Sequence, residues 1–459
     1  MANRKRFLNA MASLLFTSAL LLSTGAGASE TGQPAKPPQR VSTVTLPANI
    51  AFTSNHHLWL LDASLPQAAP KAVTRSGSAG IIGWSFDGAW LLYTFQANPQ
   101  AAGSPSTLWA VKADGSLAQQ VDPRPVTGRP QWSPTARKLV YFTQGADGRL
   151  QLLLAEIGAD NKVKTRLLPT DAEVADIAWM PDGQGLLGSV PAGKNRPMQL
   201  VKLDLTGKRT ETYRLGNPPN VEEGIYPYLA DGLKVSPNGR YVAYFERLNS
   251  ASLSADGVPI KLFDLQASVQ PKTIGSGLAY PEWLAWSPDS RLLAYIVGGG
   301  REATANKQLA IIDATTGNPV VAPPAQSDRV ETLPAWAGGP NGTLFFTRGK
   351  GSVAWEGKYD PRKPLVPGQR IWMRSAAGAM QPVTQGDDRT ADTYPNPSPD
   401  SRTLLYLRLD GAEHGSLRVK TAGTSADREL LTNVTGDPGY YGNYLPAWVQ
   451  VYWKKKTNG

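Results

Sequence analysis

A chain of 459 residues with 47 Lys+Arg, 37 Asp+Glu, three His, no Cys, 45 Gly and 38 Pro lacks the residues that several functions need. Without Cys there is no disulfide framework, thiolate metal site, nucleophilic thiol or lipid-bearing N-terminal Cys, and three His make a multi-His metal site a poor expectation. A hydrophobic share of 41% against 18% charged is enough for a folded core. The formal net charge of +10 falls to +7 without Arg4, Lys5 and Arg6, and Lys454, Lys455 and Lys456 supply three more of those charges. That excess is too small for a nucleic-acid-binding groove.

Residues 1–28 read as a secretory signal. Arg4–Arg6 form the basic start, Phe7 to Ser23 the apolar stretch, and Ala26-Gly27-Ala28 a small-residue cleavage site before Ser29. An uncleaved anchor in the cytoplasmic membrane is the alternative, although the apolar stretch is near the lower length limit for a span. Residues 29–44, with Pro34, Pro37 and Pro38, read as an extended linker with nothing to bury. No later segment is apolar enough to span a bilayer. The mature chain is therefore expected to be exported, periplasmic or extracellular, and monomeric.

From there one unit is written repeatedly. An apolar pair ending in Trp precedes a Ser-Pro-Asp-Gly type of turn and then an apolar strand, as in Trp84-Ser85-Phe86-Asp87-Gly88 before Leu91-Leu92-Tyr93. Further copies begin at Trp132, Trp179, Val235, Trp286, a looser Trp336, and Pro397. Their spacings of 48, 47, 56, 51, 50 and 61 residues fit a four-stranded antiparallel β-propeller blade. Strand one ends at the anchor, the tight turn leads to strand two, and strand three resembles Leu108-Trp109-Ala110-Val111. Strand four ends in pairs such as Val73-Thr74, Val383-Thr384 and Leu431-Thr432. Amphipathic helical periodicity is absent from the mature chain.

The two ends complement one another. Ile50–Thr53, His57–Leu61 and Lys71–Thr74 match strands two, three and four with no strand one before them. Pro446-Ala447-Trp448-Val449 matches strand one with nothing after it. The C-terminal strand is thus expected to enter the N-terminal blade and close the ring, leaving no open edge. The fold class is all-β: a propeller over residues 45–453, followed by a basic tail at 454–459. Eight blades are predicted, with seven or six as alternative parsings.

The Trp-Ser-Pro-Asp-Gly hairpin followed by an apolar strand resembles the TolB-type, WD-repeat-like propeller family of exported bacterial proteins. The resemblance implies the propeller fold and a cell-envelope location. It leaves the function open, since such blades also occur in prolyl oligopeptidases and sugar-lyase propellers. TolB itself carries an α/β domain before a six-bladed propeller, whereas only the short linker precedes the blades here. The chain has no Gly-x-Ser-x-Gly elbow for an oligopeptidase. It also has no His cluster for a lyase, because His56 and His57 are adjacent on a strand and His414 is distant. No metal or cofactor is predicted.

Trp84, Trp132, Trp179, Trp286, Trp336 and Trp448 are expected to fill the wedges between blades, and Asp87, Asp182, Asp289 and Asp400 to serve their turns. The connections from strand four to the next strand one repeat less and carry more information. Four are aromatic and contain Glu222, Glu223, Tyr226 and Tyr228; Tyr280, Glu282 and Trp283; Tyr394; and Tyr440, Tyr441 and Tyr444. On one face of a ring they would offer stacking area and acceptors to a protein, peptide or glycan partner of the envelope. Lids over the blade interfaces are the competing use. The basic insert from Arg348 to Gln369, with Trp355 and Tyr359, is a solvated loop or a contact arm for an acidic partner. A non-catalytic binding or scaffold protein is the reading preferred, with no catalytic residue assigned. The alternative is a propeller hydrolase or lyase at the channel mouth, with Glu222, Glu223 and Glu282 as acid and base.

Overall fold

The computed structural model describes residues 36–455 except 102, 172, 268, 325–326, 339–341, 352–365, 367 and 440–447. Ala28 and Ser29, Tyr440, Tyr441 and Tyr444, and the insert's Trp355 and Tyr359 lie outside the described residues.

The hairpin that opens a repeat has a turn built by side chains, seen in four copies. Ser85 Oγ donates to Asp87 Oδ1 (2.7 Å) and accepts from Trp90 N (3.0 Å), while Asp87 Oδ1 accepts from Ala89 N (3.1 Å). Ser287 with Asp289 and Ser398 with Asp400 repeat the arrangement, and Asn238 stands in for the Asp beside Ser236. The fourth turn residue has positive φ, 65° at Gly88, and the Ser-Pro-Asp-Ser copies put Ser290 there at the same angle.

These hairpins extend into eight four-stranded antiparallel sheets, each meandering outward from strand one to strand four. The middle strands are buried on both faces by neighbouring blades, as along the whole of Ala48–Ser54, so they read as unbroken apolar runs. Outer strands face water, as Val163–Leu167 does. Among the described residues helix is confined to single turns at Val221–Glu223, Ala251–Ser254 and Pro281–Trp283, and no helix is long and apolar enough to cross a membrane.

The ring closes through its two ends. The last strand, Val449–Trp453, pairs antiparallel with Ala48–Ser54, so that Val449 faces Phe52 and Val451 faces Ile50, and Thr53 N donates to Trp448 O (3.0 Å). The first blade therefore holds both ends of the chain, and the count is eight.

The anchor tryptophans join blades by hydrogen bonds as well as by packing. The indole N–H of Trp132 donates to Gly83 O (3.0 Å), that of Trp179 to Gln131 O (3.1 Å) and that of Trp336 to Ala285 O (3.0 Å). In each case the acceptor immediately precedes the anchor of the blade before. Trp84 donates to Gln450 O (3.2 Å) by the same rule, which makes Val451 the anchor of the closing blade. Trp448 was expected in that role, but it sits three residues earlier, where Trp283 stands relative to Trp286. Trp spacing alone does not separate these two positions, because both accept a large flat side chain.

The segment expected to be a free linker is docked from its first described residues. Val41 N donates to Leu430 O (3.1 Å) and Thr432 N to Gln39 O (2.9 Å), extending the outer strand of the eighth blade. Pro38 is buried, and the Arg40 guanidinium donates to Ser42 O and Val44 O in its own segment and to Leu65 O in the first blade. A backbone segment can satisfy its polar groups against an edge strand without any apolar signal in its sequence.

Candidate functional site

Strand one of each blade is its innermost strand, and successive inner strands touch around the ring, as Asp176–Trp179 touches Pro227–Val235. The space they enclose is crossed by an ion pair. Arg129 of the third blade places Nη1 3.3 Å from Asp231 Oδ1 of the fifth blade, passing over the fourth. Only the lumen allows that contact. Asp231 also accepts from Arg247 Nε, so one carboxylate bridges two guanidinium groups.

Around this pair the lumen is charged. Asp176, from the blade between, is 8% exposed and accepts from Leu233 N (3.1 Å) on the next inner strand. Lys234 lies on that same strand, and the fields of Glu282, Arg129 and Asp176 all reach its ammonium, which burial pushes below its ordinary value. Arg129 is enclosed by protein, yet its side chain keeps 40% of its exposure because it faces the lumen water. Burial and the nearby Asp231 charge push the Asp176 carboxyl up to about 6, against the opposing pull of Arg129.

The opposite arc is apolar. Three residues before their anchors stand Trp283, Leu333, Tyr394 and, counted from Val451, Trp448. Leu333 packs both against the cluster holding Trp283 and against the cluster holding Tyr394 and Trp448. Leu333 and Tyr394 reach these positions with φ of 52° and 50°, at irregularities in the strand-one pairing. Trp283 and Tyr394, expected to offer stacking area at a recognition face, are 1% and 6% exposed. They serve the interior instead: an irregularity in the strand-one pairing turns Tyr394 away from the solvent face, and the 3-10 turn Pro281–Trp283 does the same for Trp283.

The other predicted residues divide. Glu222 and Glu223 are exposed in the 3-10 turn Val221–Glu223, which Asn220 caps by accepting from Glu222 N (3.2 Å). Asn249, from the strand-two to strand-three connection of the same blade, donates to Gly224 O (2.8 Å) and accepts from Tyr226 N (3.0 Å). Tyr226 and Tyr228 are half-buried, and Tyr228 gives its carbonyl to Ala192 N (2.8 Å). Tyr280 stacks edge-on against Trp283 with ring centroids 4.9 Å apart. Glu282 is exposed and belongs electrostatically with Arg129 and Lys234. The three glutamates thus fall in two places: Glu222 and Glu223 on an outer turn, Glu282 at the lumen.

Sequence reasoning missed Arg129, Asp176, Asp231 and Lys234. A signal for three of them is present once the repeats are aligned on their anchors. The residue before the anchor is Gly83, Gln131, Ala178, Ala285, Ala335 or Asn396 in other blades, and Lys234 is the charged exception. Three residues before, Ile81 and Gly232 contrast with Arg129 and Asp176 in the same way.

Asp176 gives the site a pH signature. Between the ordinary carboxyl value of 3.8 and about 6 the folded chain holds this proton more tightly than the unfolded chain. Stability is therefore expected to fall as pH rises through that window, by on the order of 3 kcal/mol, and to level off above it. Asp176→Asn keeps an acceptor for Leu233 N and should flatten this slope while raising the melting temperature at neutral pH. Denaturant midpoints measured from about pH 4 to 7.5 check it; an unchanged slope in the variant assigns the effect to other groups.

No family model and no curated protein matches the chain. Solved structures do. The chain is similar to dihydro-heme d1 dehydrogenase NirN in complex with DHE, at 14% identity over 92% of this chain and 77% of that one, with a TM-score of 0.53. It is also similar to TolB from Acinetobacter baumannii (16% identity, 61% of this chain, TM-score 0.37) and to puromycin hydrolase (14%, 80%, 0.44). The chain spans 64% of the length of that TolB and 55% of the hydrolase. The likeness to NirN is one of fold, and enzymes and TolB proteins stand side by side among the similar structures.

Proposed function

We propose that this chain is an exported, non-catalytic binding or scaffold propeller of the TolB-like kind, which recognises an envelope protein, peptide or glycan on one face of its ring. The observation that carries the reading is the turn over residues 221–225. Val221 and Ile225 are 37% and 51% exposed beside the exposed Glu222 and Glu223. Asn220 and Asn249 hold that turn in shape, so its apolar and acidic groups are presented by a fixed backbone, which lowers the ordering cost of binding. The basic start, apolar stretch and small-residue site of residues 1–28 support export.

Val221→Asp with Ile225→Asp tests this directly. The double variant should melt as the parent does and lose the envelope proteins or glycans that the parent captures from host extracts. An identical capture profile overturns the reading.

An enzyme is the second reading, favoured by one observation: Asp176, with its carboxyl pushed up, sits within the field of the ion-paired Asp231. Two carboxyls in unequal environments are what acid and base roles require. Turnover of a peptide or polysaccharide panel that Asp176→Asn abolishes would establish it.

A further inference from the structure

The Lys234 ammonium is enclosed by the ring yet keeps partial access to the lumen. Among the described residues no hydrogen bond or ion pair reaches it; it meets Glu282, Arg129 and Asp176 only through their fields. Arg129 gives one nitrogen to Asp231, and its 40% exposed side chain leaves the rest of the guanidinium fork open. Two cations on inner strands two blades apart thus present unused donors to the same enclosed water. Two other enclosed cations are satisfied by contrast: Lys307 gives its ammonium to Gly299 O, Gly300 O and Ala305 O, and Arg408 holds Asp392 with both Nε and Nη2.

We infer that the lumen binds one carboxylate group between the Lys234 ammonium and the Arg129 guanidinium, either from a free small acid or from the C-terminus of a polypeptide entering the channel. Charge sets the valence. Arg129, Lys234 and Arg247 face Asp176, Asp231 and Glu282, so the cluster's own side chains are neutral by formal count. A monoanion adds a single charge; a phosphate dianion would add two beside three carboxylates in a site of low dielectric. The added charge has somewhere to go. Asp176 faces Asp231, Arg129 and the field it shares with Lys234, and accepts from Leu233 N and Ile177 N. With its carboxyl already pushed up by burial and Asp231, Asp176 takes up a proton when the ligand's carboxylate arrives, which restores neutrality. The inference stands apart from the outer turn at residues 221–225 and survives its failure.

The test is calorimetry on the full folded chain at about pH 6.5, in two buffers of different ionisation enthalpy. The probes are propionate and acetyl-Ala-Ala-Ala with either a free or an amidated C-terminus. A free-carboxylate probe should bind and the amide should not. Binding of propionate alone identifies a small acid as the source, binding of the free-acid peptide alone identifies a chain terminus, and both outcomes support the site. The buffer dependence should show proton uptake, which Asp176→Asn removes. Lys234→Met should weaken binding about tenfold or more, whereas Lys234→Arg, which keeps the charge, should restore most of it. Three results would overturn the inference: no probe binds, the amide binds as well as the acid, or Lys234→Met melts normally and binds unchanged.

Discussion

Removal of residues 448–459 is expected to convert the closed ring into an aggregating chain. The first blade would keep three strands, and Ala48–Ser54, buried along its whole length, would become an open edge with unpaired N–H and C=O groups. Trp448, 2% exposed, would leave the cluster it shares with Tyr394, and Gly436, which packs directly beneath its indole, would lose that cover. Trp448→Ala alone should cost about 3–5 kcal/mol, the usual range for emptying a site of that size. Size-exclusion chromatography and thermal melting read both variants. A truncated chain that stays monomeric and melts as the parent does would show that the seven other blades hold the ring without the final strand.

Asp392→Ala is expected to be of similar size for an electrostatic reason. Asp392 is fully buried, receives Arg408 through both Nε (2.7 Å) and Nη2 (2.9 Å), and has Arg370 at 4.0 Å. Arg408 also reaches Asp427, which accepts from Tyr406 and Arg418, so the network continues across the sheet. Deleting Asp392 removes the fully buried counter-charge of Arg370 and leaves Arg408 with Asp427 alone, a loss of about 3–5 kcal/mol. The double replacement Asp392→Leu with Arg408→Met should be considerably less destabilising than the two single losses added together, because it removes charge and counter-charge at once. Additive losses in denaturant unfolding would mean that packing, and not the ion pair, dominates there.

The fold was legible because a propeller writes its structure locally. Ser85, Asp87 and Gly88 close a turn among themselves, and the apolar run after them is long because both faces of the strand are covered. Closure was legible from the complementary fragments at the two ends, although Val451, an ordinary β-branched residue, gave no sign of holding the anchor position. The inner wall was harder to read. Arg129 and Asp231 lie 102 residues apart and meet across the lumen. No hairpin period links them, and only the alignment of repeats against one another marks Arg129, Asp176 and Lys234 as exceptions. Trp283 and Tyr394 were misplaced for the opposite reason. Their aromatic character is equally suited to a binding face and to a packed interior, and local backbone features that sequence does not display, a strand irregularity at Tyr394 and a 3-10 turn at Trp283, turned them inward.

Each anchor indole reaches back to a carbonyl of the preceding unit, while the residue ahead of that same anchor offers its own carbonyl to the unit that follows. Each of the five Trp-anchored copies therefore carries a donor toward the copy before it and a carbonyl toward the copy after it, whereas the copies anchored by Val235, Pro397 and Val451 carry the carbonyl alone. A tandem duplication or deletion of a whole copy would leave all remaining joints with matching halves. Rings of other sizes would then be reachable by genetic accident without inventing new fasteners, limited by how far the wedge angle between neighbours can adjust.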